Sequence, residues 1–168
     1  MKRVATVGVH DADLDSFLGA LRGAGVELVL DVRQRRGVRG REYAWANAQR
    51  LQAALADAGI AYAHRPELAP TTELRQLQYA VDDRLGVGKR SRSELATAYA
   101  ERYRREILDA ADLDAVVALM PDDAATALLC VERDPEACHR SLIADRLAER
   151  HGVRVVHLRP QAASSASL

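Results

Sequence analysis

Two short stretches concentrate the reactive side chains of this chain, Cys130-Val131-Glu132 and, soon after it, Cys138-His139-Arg140. A thiol, an imidazole and a guanidinium in succession offer a nucleophile, a proton carrier and an anion-binding fork, and a carboxylate near a second thiol offers a group to orient them. Residues of the same kinds occur upstream as Asp31-Val32-Arg33 and His64. Read as an enzyme site, Cys138 or Cys130 is the nucleophile, and His64 or His139 carries the proton. Arg33 and Arg140 clamp an oxyanion, and Asp31 or Glu132 orients the base. The same residues also admit a plainer reading: cysteines packed as small apolar groups, and arginines held in salt bridges where strands leave the core.

These residues can act together only if the fold brings them to one edge, and the hydrophobic pattern indicates which edge. Short β-branched or apolar runs at Arg3 to Val9, Val26 to Val32, Ile60 to His64, Thr126 to Val131 and Val153 to Leu158 read as five strands. Between them lie helical stripes: Leu14, Phe17, Leu18 and Leu21; then Ala44, Ala48, Leu51, Leu55 and Ala58. A helical insert follows from about residue 71 to 120, with stripes Leu74, Leu77, Val81, Leu85 and Leu95, Tyr99, Tyr103, Ile107, and a short helix at Leu113 to Met120. Strands alternating with helices, without hairpin signals, imply crossovers and a mostly parallel sheet covered on both faces. Ligands of such sheets sit outside the carboxyl ends of the strands. Gly8, His10, Asp31, Arg33, His64, Cys130 and Glu132 are all expected there.

The last helix is expected to open with Asp134 as its cap and Pro135 as its first residue. Cys138 then falls in the first turn, where free backbone amides and the helix dipole favour a thiolate. His139 points about 100° away around the helix, so His64 is the better base. Arg140 opposes the dipole and calls for Glu132, Asp134, Asp31 or a bound oxyanion beside it. Zinc is disfavoured by the spacing. Cys130, Cys138, His139 and His64 supply thiols and imidazoles, but there is no paired CxxC knuckle, and neighbours on one helix seldom converge on one ion. No metal or other cofactor is therefore assigned. A glycine-rich nucleotide fingerprint is also absent.

The segment from Arg33 to Arg41 holds five arginines, two glycines and no acid. It would overhang the sheet edge, with Arg39 and Arg41 reaching for phosphate and Tyr43 or Trp45 stacking on a base. A solvated loop is the other reading, because only Lys2 and Lys89 among 24 basic residues are lysines, so arginine is common throughout the chain. Arg102, Arg104 and Arg105 read as an exposed face paired with Glu101 and Glu106. The 24 basic and 24 acidic residues cancel, which excludes attraction to nucleic acid or anionic membranes through net charge alone. At 168 residues the chain is expected to be one domain over 1–160 with a frayed tail at 161–168. It has no membrane span or leader, and two cysteines make no disulfide framework, so a cytoplasmic location is expected.

The chain resembles the bacterial and archaeal proteins grouped as Domain of Unknown Function 488. The resemblance rests on Thr6-Val7-Gly8, Val29-Leu30-Asp31-Val32-Arg33, Gly59-Ile60-Ala61-Tyr62-Ala63-His64, and above all Leu128-Leu129-Cys130-Val131-Glu132 with Cys138-His139-Arg140. It differs at Leu68-Ala69-Pro70, where a Leu-Gly-Gly-like turn is common, and at Val9-His10-Asp11. The resemblance implies a Rossmann-like three-layer α/β domain with the family's Asp, Arg, His, Cys, Glu and Cys-His-Arg positions on these residues, and it implies no reaction. The residues themselves suggest a pocket that binds a phosphate-bearing ligand, a nucleotide or nucleic acid, and acts on it by thiol chemistry. The alternatives are a non-catalytic nucleic-acid-binding module using residues 33–41, and a scaffold whose polar cluster is a salt-bridge network.

Overall fold

The computed structural model describes residues 1–88 and 91–163. Part of the expected tail, residues 164–168, lies outside the described residues, as do residues 89–90. The centre is a sheet of β1 (Arg3–Val7), β2 (Val26–Asp31), β3 (Ala61–His64), β4 (Ala125–Leu129) and β5 (Arg154–His157). Every ladder is parallel and the order is β3-β2-β4-β1-β5. The central strand β4 is buried along its whole length, which is why it reads as a continuous apolar run rather than an alternating one.

Helices cover both faces, giving the expected three-layer α/β architecture. On one face α1 (Leu14–Gly23) and α2 (Ala48–Asp57) bury Phe17, Leu21, Leu51 and Leu55 against Val7, Val29, Ala127 and Leu129. On the other, α3 (Thr72–Leu85), α4 (Thr97–Tyr103), α5 (Leu113–Leu119) and α6 (His139–His151) pack on Val4, Leu28, Leu30 and Leu128. Alternation along each strand therefore sorts residues by parity, with neighbours in sequence entering different cores. Among the described residues, no helix is long and apolar enough to cross a membrane.

Three helical expectations change. The stripe from Ala44 to Ala58 is a 3-10 turn, Arg41–Ala46, followed by α2; the chain is extended at Asn47, whose Oδ1 accepts from the Val38 amide at 2.9 Å. In α3 the buried face carries Leu74, Gln78 and Asp82, whereas Leu85 is 71% exposed. The polar residues are held because Gln78 and Asp82 bond each other at 2.9 Å and Asp82 receives Arg92. The stretch carrying Tyr99, Tyr103 and Ile107 is α4 continued by a π-helical turn, Arg104–Leu108. Arg102 pairs with Glu106 at 2.9 Å, as the exposed-face reading expects.

Strand order determines where a ligand can sit. Although β1 and β2 are consecutive, β4 lies between them, and the carboxyl ends of all three meet at this switch in connection. Here the amides of Val9 and His10 both donate to the Val131 carbonyl at 3.0 Å. A Cβ on Gly8 would lie 1.8 Å from the Glu132 carbonyl oxygen, so only glycine lets the two segments approach this closely.

Candidate functional site

Cys130 follows the last residue of β4 and shares the Leu128 face, toward α3 to α6. The chain then makes a 3-10 turn at Pro135–Ala137, and Cys138 is the N-cap of α6, with extended backbone at φ −138° and ψ 146°. This corrects the expected helix start. Asp134 makes no cap hydrogen bond, because its carboxylate is held by Arg133 and Arg159, and Cys138 lies outside the first turn.

That change reverses the expected geometry of the pair. Since Cys138 is extended, helical spacing does not separate it from His139. The His139 Nδ1 lies 3.7 Å from the Sγ of Cys138 and 3.7 Å from that of Cys130. The opposite ring nitrogen, Nε2, lies 2.9 Å from the Val32 carbonyl oxygen, which can only accept. Nε2 therefore carries a proton, and in the neutral ring the Nδ1 lone pair faces the sulfurs. Cys130 Sγ also lies 3.6 Å from Glu132 Oε2, an alternative acceptor for its single thiol proton. Two thiols and an imidazole are donors that zinc accepts, and all three ligand atoms lie within 4.8 Å of one another.

Burial alone would raise the Cys138 pKa, but the hydrogen bond from Cys130 and the positive charge of His139 and Arg140 bring it well below the ordinary thiol value. The bond to Cys138 and burial push Cys130 well above it. His139 is opposed by burial, yet the negative charge on Cys138 raises it. The three shifts run in the directions that favour passing the Cys138 proton to His139 and keeping the one on Cys130.

The cluster forms the floor of a cavity of about 640 Å³, the size of an ordinary small-molecule site. One wall is the loop after β2, with Arg35, Val38 and Arg39, and the opposite wall is α3, with Thr72, Arg75, Gln76 and Tyr79. Arg92, Leu95 and Tyr99 close a third side. Arg92 is neutralised by Asp82 at 2.9 Å, lies 4.0 Å from Glu132, and donates to the Ala137 carbonyl at 3.0 Å, so it straps the insert to the turn before Cys138. Among the described residues, Arg35 and Arg75 have no carboxylate partner, and the buried Arg75 Nε has no hydrogen-bond acceptor.

A family model described as "Domain of unknown function DUF488" matches residues 13–147. The chain belongs to the DUF488 family. Neither the curated proteins nor the solved structures searched give a match. The DUF488 match encloses Asp31 to Arg33, His64, Cys130, Glu132 and Cys138 to Arg140, and stops short of Gly8 and His10 at the other end of the chain.

The DUF488 sheet divides the expected site residues between its faces. Leu30 pairs with Ala63 on the face of the cysteines, so Asp31 and its partner His64 project to the other side. There Asp31 accepts from Arg33 Nε at 2.8 Å and Nη2 at 2.7 Å and from the Tyr62 hydroxyl at 2.6 Å, while Arg33 Nη1 reaches the Ala46 carbonyl at 2.9 Å. His64 Nε2 bonds the Arg33 carbonyl at 2.9 Å and does not line the cavity. His139 is thus the imidazole that meets the thiols. Arg140 is fully buried, and its Nη1 and Nη2 donate to the carbonyls of Glu132 at 2.6 Å and Arg133 at 2.9 Å, so it answers the helix dipole with carbonyls rather than an acid. Neither Arg33 nor Arg140 is aimed at a shared anion.

The aromatic expectation also changes. Tyr43 is buried, with its hydroxyl accepting from the Asp11 amide at 3.0 Å and its ring against His10, and Trp45 packs on Phe17. Neither is presented to a base, and Arg41 lies outside the cavity wall. Arg75, Gln76, Tyr79 and Arg92 were not singled out from sequence. For the three on α3 the signal is a polar stripe, Thr72, Arg75, Gln76 and Tyr79 at i, i+3, i+4 and i+7, beside the apolar one; Arg92 has no such local signal.

Proposed function

We propose that this DUF488 protein binds a phosphate-bearing small molecule of nucleotide size in the cavity, and that the Cys138 sulfur attacks its phosphorus, forming an S–P bond as a P–O bond breaks, with His139 passing the proton taken from Cys138 to the leaving oxygen. The observation that supports this reading is one of place: an imidazole 3.7 Å from two thiols at the floor of a 640 Å³ cavity whose walls carry Arg35, Arg39 and Arg75. The arginine forks match phosphate oxygens, Cys130 and Glu132 orient the nucleophile, and a reducing cytoplasm keeps the thiols free. A small ligand is preferred to a nucleic-acid strand because, of the two expected stacking rings, Tyr43 is buried and Trp45 packs on Phe17.

The test is alkylation by iodoacetamide of chelator-washed protein at neutral pH, with and without adenosine monophosphate. Cys138 should react faster than a free thiol, the nucleotide should slow it, and Cys138→Ser should remove the fast phase while Cys130→Ser keeps it. If both thiols stay inert until the protein unfolds, the thiol assignment fails. Fast labelling that no phosphate-bearing compound slows would overturn the ligand class.

A further inference from the structure

The three donor atoms carry an inference that goes beyond the thiol reading and does not depend on it. We propose that Cys130 Sγ, Cys138 Sγ and His139 Nδ1 bind one zinc-class divalent cation, with the fourth coordination position facing the cavity.

The spacing is the first argument. A tetrahedral zinc with Zn–S of about 2.3 Å and Zn–N of about 2.0–2.1 Å holds sulfur and nitrogen about 3.6 Å apart. Both observed Sγ to Nδ1 distances are 3.7 Å, close to that spacing, and the two sulfurs lie within 4.8 Å of each other, so a small closing movement brings all three donors onto one ion. Glu132 Oε2 is 3.6 Å from Cys130 Sγ but does not join the group in which all donor atoms lie within 4.8 Å of one another.

The second argument is the orientation of His139. Metal-bound histidines commonly donate their other ring N–H to a carbonyl or carboxylate, which fixes both tautomer and ring plane. The Val32 carbonyl does this at 2.9 Å, from a strand end held on the other side by its own amide bond to Leu129. The third argument is access: the three residues are 5%, 2% and 5% exposed, yet all line the cavity, so an ion can enter while bulk water is largely excluded. Three protein ligands and one position open to a cavity are the layout of a catalytic rather than a purely structural zinc site. Binding requires both sulfurs as thiolates and Nδ1 without its proton, so the protons these three atoms hold pass to solvent, and it occupies the sulfur lone pair through which Cys138 would attack. The metal-loaded and metal-free centres are therefore two states of one site, and the loaded state shields the thiol.

The experiment adds zinc or cobalt alone to chelator-washed full-length protein. One equivalent should bind. Cobalt should give thiolate charge-transfer bands with tetrahedral ligand-field intensity, and X-ray absorption of the zinc form should show two sulfur neighbours and nitrogen or oxygen for the rest. Cys130→Ser and Cys138→Ser should each weaken binding by more than the roughly 10–100-fold that loss of an outer partner costs. Zinc should also abolish iodoacetamide labelling of the parent protein. A cobalt complex without thiolate bands, a zinc shell without sulfur, or unchanged affinity in the double serine variant would each overturn the metal site. Because the spectra are read on the parent protein, a variant that fails to fold does not decide the matter. Fast labelling of metal-free protein that zinc does not slow removes the metal site and leaves the thiol reading standing; slow labelling with intact metal spectra does the reverse.

Discussion

Two polar clusters stand on opposite faces of one sheet at its carboxyl edge, and they differ in whether their hydrogen bonds close. Around Asp31 they close: both carboxylate oxygens and every nitrogen of the Arg33 guanidinium have partners, and both side chains are almost inaccessible. Around Cys138 they stay open, since the sulfurs and Nδ1 share contacts of 3.7 Å, and the floor they form belongs to a cavity whose lining includes Arg35 and Arg75, without a carboxylate partner among the described residues. The first is the arrangement of a structural network, in which opposite charges neutralise each other in a dry place. The second leaves its donor atoms at the floor of a cavity. The same residue types thus reach different ends according to which face of the sheet receives them.

Breaking the closed cluster should have the largest effect. Arg33→Met leaves Asp31 charged and unpaired, which typically costs about 3–5 kcal/mol. Urea denaturation should show this loss, and the double change Asp31→Leu with Arg33→Met should recover much of it. A stability loss under about 1 kcal/mol in the single variant would mean that the cluster is not the closed unit described.

The junction between the two regions comes next. Gly8→Ala drives a Cβ into the Glu132 backbone, and overpacking of this kind costs about 1–3 kcal/mol. It should also shift Cys130 and Glu132 and slow Cys138 labelling. Gly23→Ala is the control: nothing lies within 4 Å of its Cβ position at the end of α1, so it should be neutral or stabilise by up to about 1 kcal/mol. Equal behaviour of the two variants would contradict the close approach.

Within the open cluster the effects on folding shrink. Cys138→Ala removes a single buried sulfur at the floor of the cavity, and should cost about 1 kcal/mol while abolishing the fast alkylation. A loss as large as that of Arg33→Met would erase the contrast between the regions. The smallest baseline change belongs to Arg35→Ala and Arg75→Ala, within about 0.5 kcal/mol because neither makes an ion pair among the described residues. They should nonetheless lose the rise in melting temperature that adenosine monophosphate gives the parent, since a ligand bound only to the folded state stabilises it by mass action. An unchanged ligand-induced shift in both variants would place the phosphate elsewhere.

Much of this was legible in the sequence because it depends on local periodicity. The five strands, the crossover helices between them and the glycine that ends α6, Gly152 at φ 66°, follow from apolar spacing and punctuation over a few residues. The strand-end rule then identified the edge where Cys130, Glu132 and Cys138-His139 stand. What stayed hidden depends on contacts distant in sequence. Which face a strand-end residue takes is a matter of register, so His64 could be expected at the edge but not assigned away from the cysteines until Leu30 was seen opposite Ala63. The buried side of α3 is polar because Gln78 and Asp82 meet Arg92, a partner from another segment that the apolar stripe could not reveal.

The pairing of Cys138 with His139 shows the same division at the scale of one residue. The sequence determined that a thiol and an imidazole would be neighbours near the start of a helix at the sheet edge. Only the tertiary structure decided that the helix begins one residue after the thiol. Asp134 is drawn off by Arg133 and Arg159, Arg92 holds the Ala137 carbonyl, and the Val32 carbonyl turns the ring. Each of those forces comes from another part of the fold or competes with local capping, and together they place two sulfurs and one nitrogen around a common point.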